Sequence, residues 1–173
     1  ENDARIVEAV KNGELDEILL DQTVENILNV ILFYTEHRHP EAVFDREADH
    51  VKSVTAAKEC AVLMKNENVL PISSDKKVVY IGGFAKSPRY QGGGSSHIHS
   101  GRVTSAYDSA MEKKRNVTYA EGFLAEQDEL DEVALKEAVN AAKKADVAVI
   151  FAGLPDIFES EGYDRIHMKM PEC

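Results

Sequence analysis

The sequence predicts an α/β fold built on a mostly parallel sheet with flanking helices. Three short runs, KKVVYIGGF, NVTYAEGF and DVAVIFAG, combine β-branched or aromatic residues with flanking charge or glycine, as buried strands do. Helical patterns separate these runs, and strands that alternate with helices form a parallel sheet. Because the third run is nearly all apolar, we expect it to be covered on both faces.

The chain opens with a predicted helical segment over residues 3–38. Gly13 should end a short first helix, and Asp16 can cap the helix that follows. Apolar residues then repeat at helical spacing on one face until Pro40 ends the pattern. Residues 39–47 are a candidate linker.

A further helix is predicted over about residues 46–65, with a face of small apolar residues that suits close packing. Cys60 lies within it, and we expect this cysteine to be a small core residue. Cys173 is the only other cysteine, and two cysteines do not make a disulfide framework. Residues 66–74 should form a loop, because Pro71 is incompatible with a continuing helix.

The remaining elements follow the first strand in the order that a parallel sheet requires. A loop rich in glycine and serine spans residues 83–101, a helix is predicted over 103–114, and the clearest helical pattern covers 129–144. Active sites in such sheets lie at the carboxyl ends of the strands. The loop over 83–101 and the segment 154–171 after the third strand both fall there.

Composition limits the possible partners of the chain. The 173 residues are 43% apolar and 29% charged, which is enough to form a core and argues against disorder. A net charge of −11 argues against nucleic acid or an anionic membrane as a partner, since both attract basic patches. The sequence shows no signal peptide and no apolar run of a membrane-spanning length, and it leaves a cytoplasmic or secreted location open.

The segment after the third strand carries the densest chemistry in the chain. Residues 159–165 hold three carboxylates and one guanidinium. Glu161 could serve as a general acid and base, because the nearby charge of Glu159 disfavours its ionised form, whereas we expect Asp164 to be neutralised by Arg165. A glycine after Glu161 permits a bent backbone that projects the side chain. A solvated acidic loop is the alternative interpretation of the same residues.

Two other candidate sites are weaker. The glycine-rich loop that Arg89 opens lacks the spaced glycines of a dinucleotide site and the lysine of a phosphate-binding loop, so no cofactor is expected there. His37 with His39, or His97 with His99, could begin a metal site, but neither pair has an evident third ligand. We therefore expect no metal and leave the roles of His97 and His99 open.

Four motifs in order resemble the β-glucosidase type of family 3 glycoside hydrolases, and they cover nearly the whole chain. RIVEAVKNGELDEILLDQTVENILNVI resembles the closing helices of the family's barrel domain, and the stretch ending VLMKNENVLP resembles the entry into its sandwich domain. FAKSPRYQGGGSSHI is similar to the family's glycine-rich loop. Glu161-Gly162-Tyr163-Asp164-Arg165 matches the E-G-x-D-R signature after the third strand.

The resemblance implies a domain organisation and a mechanism. Residues 1–38 would close a TIM-like barrel, 39–47 would link the domains, and 48–173 would form most of a C-terminal α/β sandwich. In a retaining mechanism a barrel aspartate, absent here, is the nucleophile, and Glu161 would be the acid/base about 5–5.5 Å from it. Glu159 is the alternative for that role.

The same resemblance assigns supporting roles and partners. Asp164, Arg165 and Arg89 would bind substrate or support the loops. A β-glucoside or oligosaccharide would be the substrate, shared with the missing barrel domain, and exposed helices and an open sheet edge would favour a homo-oligomer or a domain-swapped assembly. A non-catalytic carbohydrate-binding or interaction domain is a weaker alternative because the chain has no Trp. A flavodoxin-like nucleotide-binding domain would rest on the sheet pattern alone.

Overall fold

The computed structural model describes residues 2–171 and divides the chain into two compact units, Glu1–Met64 and Lys65–Cys173. The first unit contains three helices, α1 (Asn2–Lys11), α2 (Glu17–His37) and α3 (Arg46–Glu59). The second unit contains β1 (Val78–Ile81), α4 (Ala106–Glu112), β2 (Val117–Ala120), α5 (Glu132–Ala142) and β3 (Val147–Ile150). The α/β class predicted from the sequence is confirmed.

The breaks and caps of the first unit follow local chemistry. Asp16 caps α2 as expected, because its side chain accepts a hydrogen bond of 3.0 Å from the backbone N–H of Ile18. Gly13 adopts a φ of 75° in the break between α1 and α2. Asp45 caps α3 in the same way, through the backbone N–H groups of Glu47 and Ala48.

Two expectations for α3 are wrong. The helix ends at Glu59 rather than near residue 65, and Cys60 is exposed rather than part of a core. No residue of α3 is buried within the described structure. A helix of this length depends on tertiary packing more than on propensity, so residues 61–65 leave the helix although four of the five are good helix formers.

The sheet of the second unit is parallel, with the strand order β2-β1-β3. The central strand β1 supplies Val79, which is fully buried, and Ile81. Helix α5 packs on this face through Ala138, which is 3% exposed. On the opposite face Tyr107 of α4 meets Tyr119 of β2, with ring centroids 5.8 Å apart.

The prediction that the third strand is covered on both faces is wrong for this structure. Ala148 and Ile150 are exposed, and Ile150 retains 65% of its accessible surface. They lie on the face that carries α5, but the main contacts of α5 are with β1 and β2. An apolar run in the sequence shows that a strand is suited to burial. Whether the strand is buried depends on which helices and strands pack against it.

Candidate active site

Loops that leave β1 and β3 meet at the carboxyl edge of the sheet, where the sequence placed the candidate site. Arg89 joins them. Its guanidinium donates hydrogen bonds of 2.8 Å to the carbonyl oxygens of Leu154 and Glu159, and its Nε lies 2.6 Å from Asp156 Oδ1. One side chain thus fixes three points of the loop after β3. Arg89 is therefore placed to support the loop after β3.

Glu161 occupies the tip of a two-residue turn. Ser160 and Tyr163 exchange backbone hydrogen bonds of 3.2 Å and 3.3 Å across it. Gly162 completes the turn with a φ of 94°, a conformation that suits glycine, so the bent backbone expected after Glu161 is present. The hydroxyl of Tyr163 also donates a hydrogen bond to the carbonyl oxygen of Asp156, which ties the turn to the segment that Arg89 holds.

The glycine-rich loop reaches the same carboxylate from the other side. The backbone N–H of Ser95 donates a hydrogen bond of 2.7 Å to Glu161 Oε2, and the Ser95 hydroxyl lies 3.4 Å from that oxygen. Within residues 2–171 no cation lies within ion-pair distance of Glu161. The structure therefore brings the two sequence-predicted loops together at the Glu161 carboxylate.

Arg165 does not neutralise Asp164 as expected from the sequence. Its Nε lies 3.7 Å from Glu159 Oε2 instead, and the Arg165 side chain is mostly buried, with 19% of its surface exposed. No ion pair of Asp164 occurs in the described part of the chain. Adjacent residues in a bent loop can project in different directions, so neighbours in sequence need not pair.

A cavity of about 720 Å³ lies beside this cluster, at the same edge of the sheet. Its walls include Arg89, His97 and Asp156, but neither Glu159 nor Glu161. Tyr119 and Glu121 line another side, where the tyrosine hydroxyl donates a hydrogen bond of 2.5 Å to the carboxylate. The ammonium group of Lys86 lies 3.6 Å from the centre of the Tyr119 ring, and Lys86 also lines the cavity.

The histidine pairs do not assemble into a larger cluster. The rings of His97 and His99 meet edge to face at 6.3 Å, and His37 stacks on Phe33 at 4.1 Å. No group of three or more His, Cys, Asp or Glu side chains able to hold a metal ion occurs among residues 2–171. Over the same residues, no helix combines the length and the apolar character needed to cross a membrane.

A family model described as "Glycosyl hydrolase family 3 C-terminal domain" matches residues 61–173. The chain belongs to glycosyl hydrolase family 3. The matched range includes all three strands and both loops of the candidate site. The resemblance predicted from the sequence motifs is confirmed.

Curated relatives within family 3 extend the match to almost the whole chain. Thermostable beta-glucosidase B of Acetivibrio thermocellus is 47% identical over 174 residues, which cover 98% of this chain and 23% of the relative. Exo-alpha-(1->6)-L-arabinopyranosidase of Bifidobacterium longum is 34% identical over 183 residues, which cover 98% of this chain and 24% of the relative. The chain thus spans about a quarter of the length of the curated relatives it matches.

Solved structures of beta-glucosidases are similar in fold to this chain. The Bifidobacterium adolescentis GH3 beta-glucosidase matches with a TM-score of 0.86 and 33% identity, over 98% of this chain and 25% of that one. Beta-glucosidase 3B from Thermotoga neapolitana, in complex with alpha-D-glucose, matches with a TM-score of 0.74 and 29% identity. That second match covers 96% of this chain and 26% of the other.

Sequence reasoning missed three residues that organise the candidate site. Ser95 contacts Glu161, Tyr163 anchors the turn, and Asp156 pairs with Arg89. Tyr163 lies inside the recognised E-G-x-D-R signature, and Ser95 follows the glycine run. The positions of Tyr163 and Ser95 within these motifs could have pointed to them. The residues that they contact could not be predicted, because spacing in the sequence does not encode contacts between distant segments.

Proposed function

We propose that this chain supplies the acid/base glutamate, Glu161, of a retaining glycoside hydrolase that cleaves terminal β-D-glucosides. One observation carries the proposal: a carboxylate without a cationic partner among the described residues is held at the tip of a braced turn, at the carboxyl edge of the sheet. Membership of family 3 supports the reaction class, and the 47% identical beta-glucosidase B supports the sugar.

The chemistry requires one group that both gives and takes a proton. In the first step Glu161 donates a proton to the glycosidic oxygen while the bond to the anomeric carbon breaks, and a carboxylate nucleophile bonds to that carbon. In the second step Glu161 accepts a proton from water as the water attacks the same carbon and releases the nucleophile. The nucleophile would be an aspartate of a barrel domain outside this sequence, about 5–5.5 Å from Glu161.

Glu161 suits this role better than Glu159 because the two glutamates have different partners. Glu159 lies 3.7 Å from Arg165, so its carboxylate is engaged in an ion pair within the loop. Glu161 accepts only from Ser95 among the residues described here. An acid/base group must exchange its proton readily in both directions, and Glu161 is not committed to a cation.

The other site residues would support the loop. Arg89 binds the backbone of the loop after β3, and Arg165 binds the Glu159 side chain in the same loop. Asp164 has no ionic partner in residues 2–171, so a contact with substrate or with the barrel domain is the role we assign to it. In this proposal residues 1–38 close the barrel, 39–47 link the domains and 48–173 belong to the sandwich domain.

The experiment is the substitution Glu161→Ala in the intact parent enzyme, assayed with aryl β-glucosides of good and poor leaving groups. We expect kcat/KM for a phenyl glucoside to fall by about 100-fold or more, with a much smaller loss for a dinitrophenyl glucoside that needs no proton. Added azide should restore turnover and give a glycosyl azide. Equal losses on both substrates, without azide rescue, would mean that Glu161 is not the acid/base.

Glu159→Gln is the matched control, because it removes the other carboxylate of the loop at similar size. We expect its loss to be similar on both substrates and less than about tenfold, since only loop support is weakened. A leaving-group dependence for Glu159→Gln instead would transfer the acid/base role to Glu159.

One of the relatives suggests a second candidate sugar for the substrate. The 34% identical relative from Bifidobacterium longum is named for an L-arabinopyranoside substrate. We therefore include an aryl α-L-arabinopyranoside in the assay of the parent enzyme. A higher kcat/KM for that compound than for the matching β-glucoside would replace glucose by arabinopyranose in the proposal and leave the role of Glu161 intact.

A further inference from the structure

The contact between Ser95 and Glu161 links residues 66 positions apart. The donor is a backbone N–H at 2.7 Å, a short distance typical of a hydrogen bond to a carboxylate. Both partners lie in irregular segments, one after β1 and one after β3. Such a contact fixes the carboxylate relative to the sheet more tightly than the turn of Glu161 can do alone.

The donor loop is organised by its own hydrogen bonds. The Gln91 side chain both donates to and accepts from the backbone of Ile98, at 3.1 Å each, which closes the base of the loop. The Ser96 hydroxyl donates to the carbonyl oxygen of Gly93 at 2.8 Å. The backbone N–H of His97 donates to the carbonyl oxygen of Gly94 at 3.0 Å, in the 3-10 turn Gly94–Ser96. The N–H of Ser95 is therefore presented by a pre-formed loop.

Gly94 leaves the space that the carboxylate occupies. A Cβ at this position would overlap Oε2 of Glu161 and lie 2.5 Å from its Cδ and 2.8 Å from its Cβ. The φ of 64° at Gly94 is also a conformation that side-chain-bearing residues rarely adopt. Both the shape and the backbone conformation of the loop are thus matched to Glu161.

We propose that Ser95 is a positioning residue whose N–H holds one oxygen of Glu161, so that the other oxygen carries the transferred proton. This inference rests on the proposed function of Glu161. An N–H group can only donate a hydrogen bond, so Oε2 keeps a lone pair toward Ser95 in both protonation states. The proton that moves to the leaving group and returns from water is then carried by Oε1, at a fixed place in the site.

The test uses Gly94→Ala in the intact parent enzyme, because the added methyl displaces the carboxylate from Ser95. We expect kcat/KM for phenyl β-glucoside to fall by about 100-fold, as a displacement near 1 Å of a catalytic group can do. For dinitrophenyl β-glucoside, which leaves without a proton, we expect less than about a threefold loss.

Two glycine-to-alanine variants serve as matched controls. Gly101 lies at the end of the same loop, and a Cβ there meets nothing within 4 Å. Gly13 has a positive φ of 75° but also open space, so Gly13→Ala reproduces the backbone strain without the displaced carboxylate. Both should keep the leaving-group dependence of the unmodified enzyme.

The outcomes separate this inference from the proposal it rests on. If Glu161→Ala depends on the leaving group but Gly94→Ala loses nothing, or loses equally on both substrates, Ser95 does not position Glu161. If Glu161→Ala itself lacks that dependence, the proposed function fails and this inference fails with it.

Two further measurements keep the inference falsifiable if Gly94→Ala does not fold. Ser95→Pro replaces the N–H by the ring methylene Cδ, which removes the donor and lies beside the carboxylate, and the same selective loss is expected. A crystal structure of the unmodified parent needs no substitution at all. A distance above about 3.5 Å between Ser95 N and both carboxylate oxygens of Glu161 would overturn the inference.

Discussion

Single residues of the loop after β3 are distinguished by the partners they meet. Glu159 faces a mostly buried guanidinium, whereas Glu161 faces a backbone N–H at the tip of a turn. The guanidinium engages one carboxylate in an ion pair, whereas the other accepts a hydrogen bond from the N–H and has no cationic partner among residues 2–171. Two glutamates separated by one residue can therefore carry different functions.

Tyr119 allows a prediction about pH. Burial of its phenol, followed by the hydrogen bond to Glu121 and the charge of that carboxylate, raises the pKa of Tyr119 above its ordinary value of 10.0. The folded state therefore holds this proton more tightly than the unfolded state. The stabilisation is complete below pH 10.0 and is lost as the pH rises toward the higher folded pKa.

We expect the free energy of unfolding to decrease between about pH 9 and about pH 11, and to decrease less steeply in Tyr119→Phe. Urea unfolding at the two pH values measures both slopes. Tyr90→Phe is the control, since the Tyr90 side chain is exposed. Equal slopes in Tyr119→Phe and in the unmodified chain would contradict the prediction.

Among the elements, α5 determines how well the sheet is covered. It packs on β1 and β2, its residues Ala134 and Ala138 are buried, and its first turn depends on Asp131. The Asp131 side chain accepts hydrogen bonds of 2.9 Å from the backbone N–H groups of Val133 and Ala134. Two N–H groups of the first turn that lack partners within the helix are satisfied in this way.

We expect Asp131→Ala to lower the free energy of unfolding by about 1 kcal/mol, because the cap is lost. Asp131→Asn should retain most of the stability, since its carbonyl oxygen can accept the same hydrogen bonds. Urea unfolding checks both variants, with Glu137→Ala on the exposed side of α5 as the control. A loss in Asp131→Asn as large as that in Asp131→Ala would mean that charge, not capping, is responsible.

At the scale of the whole molecule, the two units differ in how far they bury their apolar residues. The second unit has a small core around Val79. The helices of the first unit bury no residue, and large apolar side chains of α2 such as Val30 and Phe33 are 70% and 64% exposed. Exposed apolar surface of this extent favours association.

We predict that the chain by itself associates in a concentration-dependent way, because apolar side chains of α2 such as Val30 and Phe33 are exposed. Sedimentation velocity over a range of concentrations measures this. Val30→Asp should weaken the association, whereas Asn29→Asp adds the same charge at a neighbouring polar position and should change it little. A monomer at every concentration would contradict the prediction.

We also predict that the chain by itself does not hydrolyse aryl β-glucosides, because double displacement needs two carboxylates and the proposed nucleophile is outside this sequence. A release assay with dinitrophenyl β-glucoside checks this, with the intact parent enzyme as the positive control. Turnover by the pure chain that disappears in Glu161→Ala would place the complete site within these residues.

The sequence by itself determined the features that depend on residues close together in the chain. The strand–helix alternation, the Asp16 cap and the turn that Gly162 allows after Glu161 were all predicted from local spacing and backbone preference. The E-G-x-D-R motif gave the family for the same reason, because its residues are consecutive.

Only the tertiary structure decided which distant groups meet. The order β2-β1-β3, the early end of α3 and the exposed face of β3 depend on what packs against each element. The pairing of Arg165 with Glu159 depends on the path of the loop after β3, and that of Ser95 with Glu161 depends on the meeting of two irregular loops. Local spacing fixes backbone preferences over a few residues, whereas these contacts arise from closure of the chain over as many as 66 positions.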